Sequence, residues 1–452
     1  MLRPGMAWKG FLVVVAVVSV AGCRADDRPV VRSQFDGYVT VRPEVDSTRD
    51  YRGFEVLVAS SDGEADTLGF GVTDSTGYFR MLIEAPERGI YPLIVSRRGA
   101  RVKQGQIVLA EADTASMRLR VPDGDRPLII RSVENAAWMA YRNGKMVHNR
   151  ELLSLIQSGQ YSAESHATRF MQSAQILWAL SEQFPGTIGA GMASAESVLM
   201  MEGINDSLVV ERVMSLPMEG PGFVDVARAA RRAEARMRGQ DSAIALVRGL
   251  SGKTVDKALQ AALASEMVVA YADSNMLDEA VIEANRIDAE YADSPWAEWA
   301  RGTVYEIENL MPGMLAPSFS TVTWTGEEYS FDPSTTGIVL LEFFRPTDAT
   351  YIRERALRDS LASYKRGETV TFVSVSLESD SDLNEAFFGS QPSTVQIALP
   401  LGAEDPLARS FNVRVHPKRF LIKDGIILGK YSGPAIQAVA DDLMAVTGAD
   451  SS

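Results

Sequence analysis

The chain has 452 residues, a formal net charge of −14 and one cysteine, Cys23. Its residues are 46% hydrophobic and 23% charged, a globular composition. The acidic balance argues against nucleic-acid binding, which needs clustered Lys and Arg to meet phosphates. A single cysteine excludes any disulfide within the chain.

The first 22 residues read as a secretory signal. Arg3 and Lys9 form a positive start, and Phe11 to Val20 form an apolar stretch too short for the ~20 residues that span a bilayer. Small residues follow, and Val20-Ala21-Gly22-Cys23 resembles the lipobox of bacterial lipoproteins. The resemblance implies cleavage before Cys23, lipidation of its sulfur and anchoring in a membrane of the cell envelope. Multiple acyl chains anchor stably, since each buried methylene contributes about 0.8 kcal/mol. Arg24 is not the aspartate of inner-membrane retention, which favours the outer membrane. Loss of Arg3 and Lys9 takes the net charge to about −16, so an anionic surface would repel the body and the lipid must hold it. Residues 23–32 are polar and read as a tether.

Residues 33–125 are patterned for strands. Phe54-Glu55-Val56-Leu57-Val58, Gly77 to Ile83, Tyr91 to Val95 and Gln106 to Leu109 are short runs separated by turn residues, among them Asp74-Ser75-Thr76-Gly77. This spacing predicts a small all-β sandwich. Gly37-Tyr38-Val39, Thr73-Asp74-x-x-Gly77-x-Phe79 and Gly89-x-Tyr91 resemble prealbumin-like domains related to carboxypeptidase regulatory modules, which implies an accessory fold without chemistry.

Residues 130–310 change to a helical period, as in Ala261 to Tyr271, with breaks at Phe184-Pro185-Gly186, Pro217 to Gly222, Gly249 to Gly252 and Asp293-Ser294-Pro295. Ala270 to Ala280 with Tyr291 to Ala297 resembles a tetratricopeptide-type helix pair. Units of that kind bury one face only by stacking, so an α-helical array is expected. It serves either to bind a partner or as a spacer.

Residues 311–450 return to strands alternating with helices. Gly337 to Phe344 and Val370 to Leu377 read as buried strands. Asp348 to Tyr364, Asp382 to Phe388, Asp405 to Phe411 and Pro434 to Val446 read as helical, and Val413 through Gly425 as a strand entering a hairpin. Ala316-Pro317-x-Phe319, the strand ending Phe343-Phe344, and Val415-His416-Pro417 before Phe420-Leu421-Ile422 resemble the thioredoxin superfamily, in particular the redoxins: thiol–disulfide reductases and peroxiredoxins. The resemblance implies an α/β thioredoxin-like fold, a cis bond before Pro417, and a backbone beside it that pairs with an extended peptide.

Where that family holds its reactive sulfur this chain has none. In a reductase register the Cys-x-x-Cys positions fall on Asp348 and Tyr351; in a peroxiredoxin register the reactive cysteine falls on Arg353. Thiol chemistry needs a thiolate, favoured at a helix N-terminus. Asp348 is instead suited to cap that helix, with Thr350 and Tyr351 filling the former pocket. The catalytic set is therefore empty. Thr350, His416 and Pro417 are candidates for a peptide groove, and an envelope protein or peptide is the expected partner. Descent from an oxidoreductase, or a spacer lipoprotein, are the alternatives.

Glu378-x-Asp380-x-Asp382-x-Asn384 resembles the start of a calcium loop, but Glu385 stands where Gly is needed and Gln391 where Glu is needed. His148, His166 and His416 are scattered in the sequence. No metal and no cofactor are expected.

Overall fold

The structure, a computed structural model, describes residues 30–447 apart from 61–62, 125, 219, 335, 364–369 and 390–393. Cys23 and the segment before it lie outside the described residues. The chain divides between Ser197 and Val198 into two compact units.

In the first unit, β1 (Val31–Val41), β2 (Phe54–Ser60), β3 (Gly63–Val72), β4 (Tyr78–Ala85), β5 (Gly89–Arg97), β6 (Ala100–Leu109), β7 (Thr114–Val121) and the short β8 (Ile130–Arg131) form two four-stranded sheets, ordered β4-β1-β7-β8 and β3-β2-β5-β6. β4 shows the physical cause most plainly: Phe79, Met81, Ile83 and Ala85 are buried while Arg80, Leu82 and Glu84 are exposed, the period of a strand with one face inward. Both sheets supply a common core that includes Phe35, Val56, Phe79, Leu93, Ile107 and Leu119. At the predicted Asp74–Gly77 turn, Asp74 accepts from the N–H groups of Thr76 (2.8 Å) and Tyr78 (3.0 Å). Gly77 has φ +84°, and a Cβ there would lie 2.3 Å from the carbonyl oxygen of Val39, so only glycine fits.

Three helices follow: α1 (Val133–Gln157), α2 (Ala163–Gln183) and α3 (Ile188–Leu199), the last crossing the division between units. Ser132 caps α1, and the buried amide of Asn135 bonds both the N–H and the carbonyl of Val108. That pair fixes the helix to the edge strand β6.

The second unit continues with α4 (Asp206–Val213), α5 (Phe223–Arg238), α6 (Gln240–Ser251), α7 (Lys257–Asp273), α8 (Leu277–Glu290) and α9 (Pro295–Asn309), each packed on the next. Pro295 stands at the start of α9, as a residue without an N–H should. The break expected over Gly249 to Gly252 comes at the far end of that range, since α6 runs to Ser251 with Gly252 as its cap, and an unforeseen break falls at Gly239. Gly239 has φ +90° and ends α5, whereas Gly249 sits in a helix held by the buried Ile244, Val247 and Leu250. Tertiary burial there outweighs a glycine's cost of about 1 kcal/mol.

The remainder holds a hairpin of β9 (Phe319–Val322) and β10 (Glu328–Phe331), then β11 (Ile338–Phe344), α10 (Ala349–Ala362), β12 (Val370–Ser376), α11 (Ser381–Phe388), β13 (Val395–Ala398), α12 (Pro406–Ser410), β14 (Lys418–Lys423), β15 (Ile426–Ser432) and α13 (Ile436–Val446). The main sheet is ordered β13-β12-β11-β14-β15; β13, β12 and β11 are parallel, and β14 and β15 antiparallel to their neighbours. Odd residues of β11 (Leu341, Phe343) join a core with Val373, Phe420 and Phe411 on one face. Even ones (Ile338, Leu340) meet Leu361 of α10 and Val439 and Leu443 of α13 on the other. The strand expected from Val413 begins only at Lys418, because Pro417 has no N–H to give a ladder and the preceding residues are drawn toward α9.

Candidate functional site

The loop from β11 into α10 brings Asp348 to the helix start. Its Oδ1 accepts from the N–H groups of Thr350 (2.7 Å) and Tyr351 (3.1 Å), satisfying two of the donors a helix leaves free. Its Oδ2 lies 2.9 Å from Nδ1 of His416, which comes from the loop before β14. Burial pushes the Asp348 carboxyl up, but the two N–H bonds and His416 outweigh it and hold its pKa below the usual carboxylate value.

The His416–Pro417 bond is cis, and Pro417 is buried. Val415 is 57% exposed. Among the described residues, no backbone hydrogen bond engages the main chain of Val415 or His416. Asp348, Thr350, His416 and Pro417 thus share one end of the sheet, beside an unpaired stretch of backbone.

Tyr351 points away from that edge. It is fully buried, stacks on Phe344 at 4.3 Å between ring centres, and meets Phe387. Burial, with the Glu342 charge nearby, pushes its phenol far above the ordinary value, so it stays neutral. Arg353 lies exposed on the next turn and donates to the Thr350 hydroxyl (3.2 Å). Of the two registers in which a sulfur could be sought, one therefore ends in a core aromatic and the other on the helix surface.

Beneath this site lies a charged network that the sequence reading missed. Glu342, in the middle of β11, is fully buried and receives Nε of Arg358 (2.9 Å) and Nε of Arg419 (2.8 Å). Arg358 also donates to Ser374, and Nη2 of Arg419 lies 2.9 Å from Glu354. Nη1 of Arg419 is buried with no hydrogen-bond partner among the described residues. Strand register explains the meeting: Ser374, Glu342 and Arg419 are direct cross-strand neighbours on β12, β11 and β14. The available signal was a lone carboxylate inside an apolar strand and an arginine at the head of another, which are rarely buried unless paired.

The loop carrying His416 is fastened to α9. Arg414 donates to the carbonyls of Glu298 and Trp299, both at 2.7 Å, and a Cβ on Gly302 would lie 1.7 Å from that guanidinium. Glu306 meets Lys418 at 3.1 Å and Lys430 at 2.7 Å. Burial raises the Glu306 pKa, and the two lysines more than reverse it, leaving it below the ordinary value.

The other sequence candidates do not join the site. Asp380 caps α11 by accepting from Asp382 and Leu383, and Gln391 lies outside the described residues. His148 and His166 flank Phe170 in the first unit, and His148 bonds Ser173 at 2.8 Å. Among the described residues no group of three or more His, Cys, Asp or Glu could hold a metal, and no helix is long and apolar enough to cross a membrane.

The strand order, the antiparallel closing hairpin and the helix leaving β11 at the site are those of a thioredoxin-like domain. No family model and no curated protein matches the chain. Solved structures resemble about three tenths of it. One is a chain from Chlorobium tepidum described as a thiol:disulfide interchange protein (23% identity, 31% of this chain, 100% of that one, TM-score 0.28). Another is the thioredoxin domain of a thiol-disulfide oxidoreductase from Bacteroides vulgatus (18%, 30% and 99%, 0.25). A third is the exposed lipoprotein thioredoxin of Streptococcus pneumoniae (17%, 28% and 99%, 0.25). The names describe those proteins.

Proposed function

We propose that this chain is a lipid-anchored envelope protein, tethered through Cys23, whose thioredoxin-like domain binds an extended polypeptide and performs no thiol chemistry. The N-terminal sheets would form an accessory sandwich and the helices a tetratricopeptide-like array. The observation that carries this reading is the unpaired backbone at Val415 and His416 beside the Asp348–His416 pair. An extended peptide can add to such an edge through main-chain hydrogen bonds, with side-chain pockets giving specificity. Asp348 places a carboxylate at the helix N-terminus, where its charge is favourable. It cannot form a disulfide or a sulfenic acid.

The test uses the mature chain with Cys23→Ser. It is expected neither to reduce insulin disulfides nor to consume peroxide, and turnover clearly above blank sinks the proposal. A photo-crosslinker at position 415 in the native envelope should trap a partner whose yield falls on His416→Ala. Backbone N-methylation of a peptide from that partner should abolish its binding. A partner trapped equally by His416→Ala, or none trapped, favours the spacer alternative.

A further inference from the structure

The first unit presents a sheet face that no chemistry described above uses. Along β1, Ser33, Phe35, Gly37, Val39 and Val41 are buried, so the residues between them point away from the core. Register lines these up with the outward residues of β4 and β7, and Tyr38 stands between Tyr78 and Arg118. Its ring centre lies 5.3 Å from that of Tyr78, and the Arg118 guanidinium lies 5.9 Å over it. Tyr38 is 41% exposed, and Leu82, further along β4 on the same face, is 59% exposed.

This face carries a sign opposite to the chain's. Outward from the strands of the sheet stand Arg32, Arg80, Arg118, Arg120 and Arg131, against Asp36 and Glu84. Glu84 is held by Arg32 at 3.1 Å, which leaves four guanidinium groups for one carboxylate on the face itself. At its two ends, Asp74 and Glu111 are bonded to the backbone N–H groups of Tyr78 and Arg32. The segments entering and leaving β1 do not reverse the sign. Arg24 to Pro29 holds two arginines and two aspartates, and Arg42 to Arg52 holds three charges of each sign. Acidic groups farther off than about 8 Å are screened at physiological ionic strength, so a surface touching this face meets its arginines.

The tether decides which surface that is. Seven residues lead from Cys23 to Val30, and they reach at most about 25 Å, so a lipid on Cys23 keeps β1 within that distance of a bilayer. Tyrosine favours the headgroup level of a membrane, and the guanidinium fork meets phosphate in bidentate fashion. Each basic residue near an anionic lipid surface favours binding roughly fivefold. We propose that the outer face of this sheet lies on the anionic phospholipid surface beside the Cys23 anchor, with Tyr38 and Tyr78 at headgroup level and Arg80, Arg118 and Arg120 on lipid phosphates. The proposal rests on the reading of Cys23 as the lipidated residue.

The single cysteine makes the test specific. The mature chain is coupled through Cys23 to a maleimide lipid in vesicles of phosphatidylglycerol or of phosphatidylcholine, so chemistry supplies the anchor. Phenylglyoxal, which labels accessible guanidinium groups, should modify Arg80 and Arg118 several-fold less on phosphatidylglycerol than on phosphatidylcholine. Arg150, exposed on α1, should be modified equally on both. Untethered, the Cys23→Ser chain should sediment with phosphatidylglycerol vesicles at low ionic strength. Arg80→Glu with Arg118→Glu should weaken that binding about tenfold or more, while Arg150→Glu leaves it unchanged. If the double variant misfolds, the labelling of the unaltered chain decides alone. Equal labelling on both lipids, or equal binding by the charge-reversed chain, overturns the proposal. Binding to heparin without binding to vesicles also overturns it and makes the face a site for soluble polyanions. Absence of acyl chains on Cys23 of the native protein, read by mass spectrometry, sinks the anchor reading instead and is independent of the vesicle result.

Discussion

The two oxygens of the Asp348 carboxylate act separately, Oδ1 capping α10 and Oδ2 holding His416. Asp348→Ala removes both contacts and should cost about 1 kcal/mol, the usual worth of an N-cap, read as a lower urea midpoint. Asp348→Asn keeps the cap and loses the charge, so it should recover most of that loss. The folded carboxyl titrates below its unfolded value of 3.8. Its stabilisation is therefore complete above that value and disappears as pH falls through the lower, folded one. The wild-type advantage over Asp348→Asn should shrink as pH falls below 3.8; an advantage that stays constant on acidification would mean the charge contributes nothing.

At the scale of elements, the Ser374–Glu342–Arg419 row with Arg358 crosses the sheet where apolar packing would be the simpler solution. Breaking such a buried pair leaves an uncompensated charge, at a cost of about 3–5 kcal/mol, whereas replacing the whole set with well-packed apolar residues is often neutral or stabilising. Glu342→Gln should thus strongly raise hydrogen exchange along β11. Glu342→Met with Arg358→Met and Arg419→Leu should restore protection. Failure of the triple variant to recover would mean that the charges also specify strand pairing.

At the scale of the molecule, helical residues belong to both compact units. In the first, Asn135 and Glu134 tie α1 to the sheets through Val108 and Arg88. In the second, α9 is tied to the cis-proline loop through Arg414 and Glu306. Glu306→Gln leaves Lys418, almost wholly buried, short of its counter-charge, and Gly302→Val drives a side chain into Arg414. Either should increase exchange in residues 410–418 and α9 together, and exchange confined to one of them would show that they are not coupled. Acid should act in the same direction. Glu306 titrates below its unfolded value of 4.5, so the contact is intact above that and weakens as pH falls through the folded value.

Strand and helix periods made much of this legible along the chain. β4 alternates residue by residue, and α10 starts at an aspartate because a free helix end needs an acceptor. The absence of sulfur at 348, 351 and 353 was complete in the sequence, since no fold can supply a missing atom. The four-residue strands β9, β10 and β13 carry too short a period to read, and the break over Gly249 to Gly252 starts later than its first glycine suggests because burial is stronger than local propensity. Register alone put Glu342 opposite Arg419, and a loop folded onto α9 put His416 against Asp348, 68 residues earlier. Such pairings depend on which backbones lie side by side. One-dimensional patterns decide which face of an element is buried, and only the packed chain decides what that face meets.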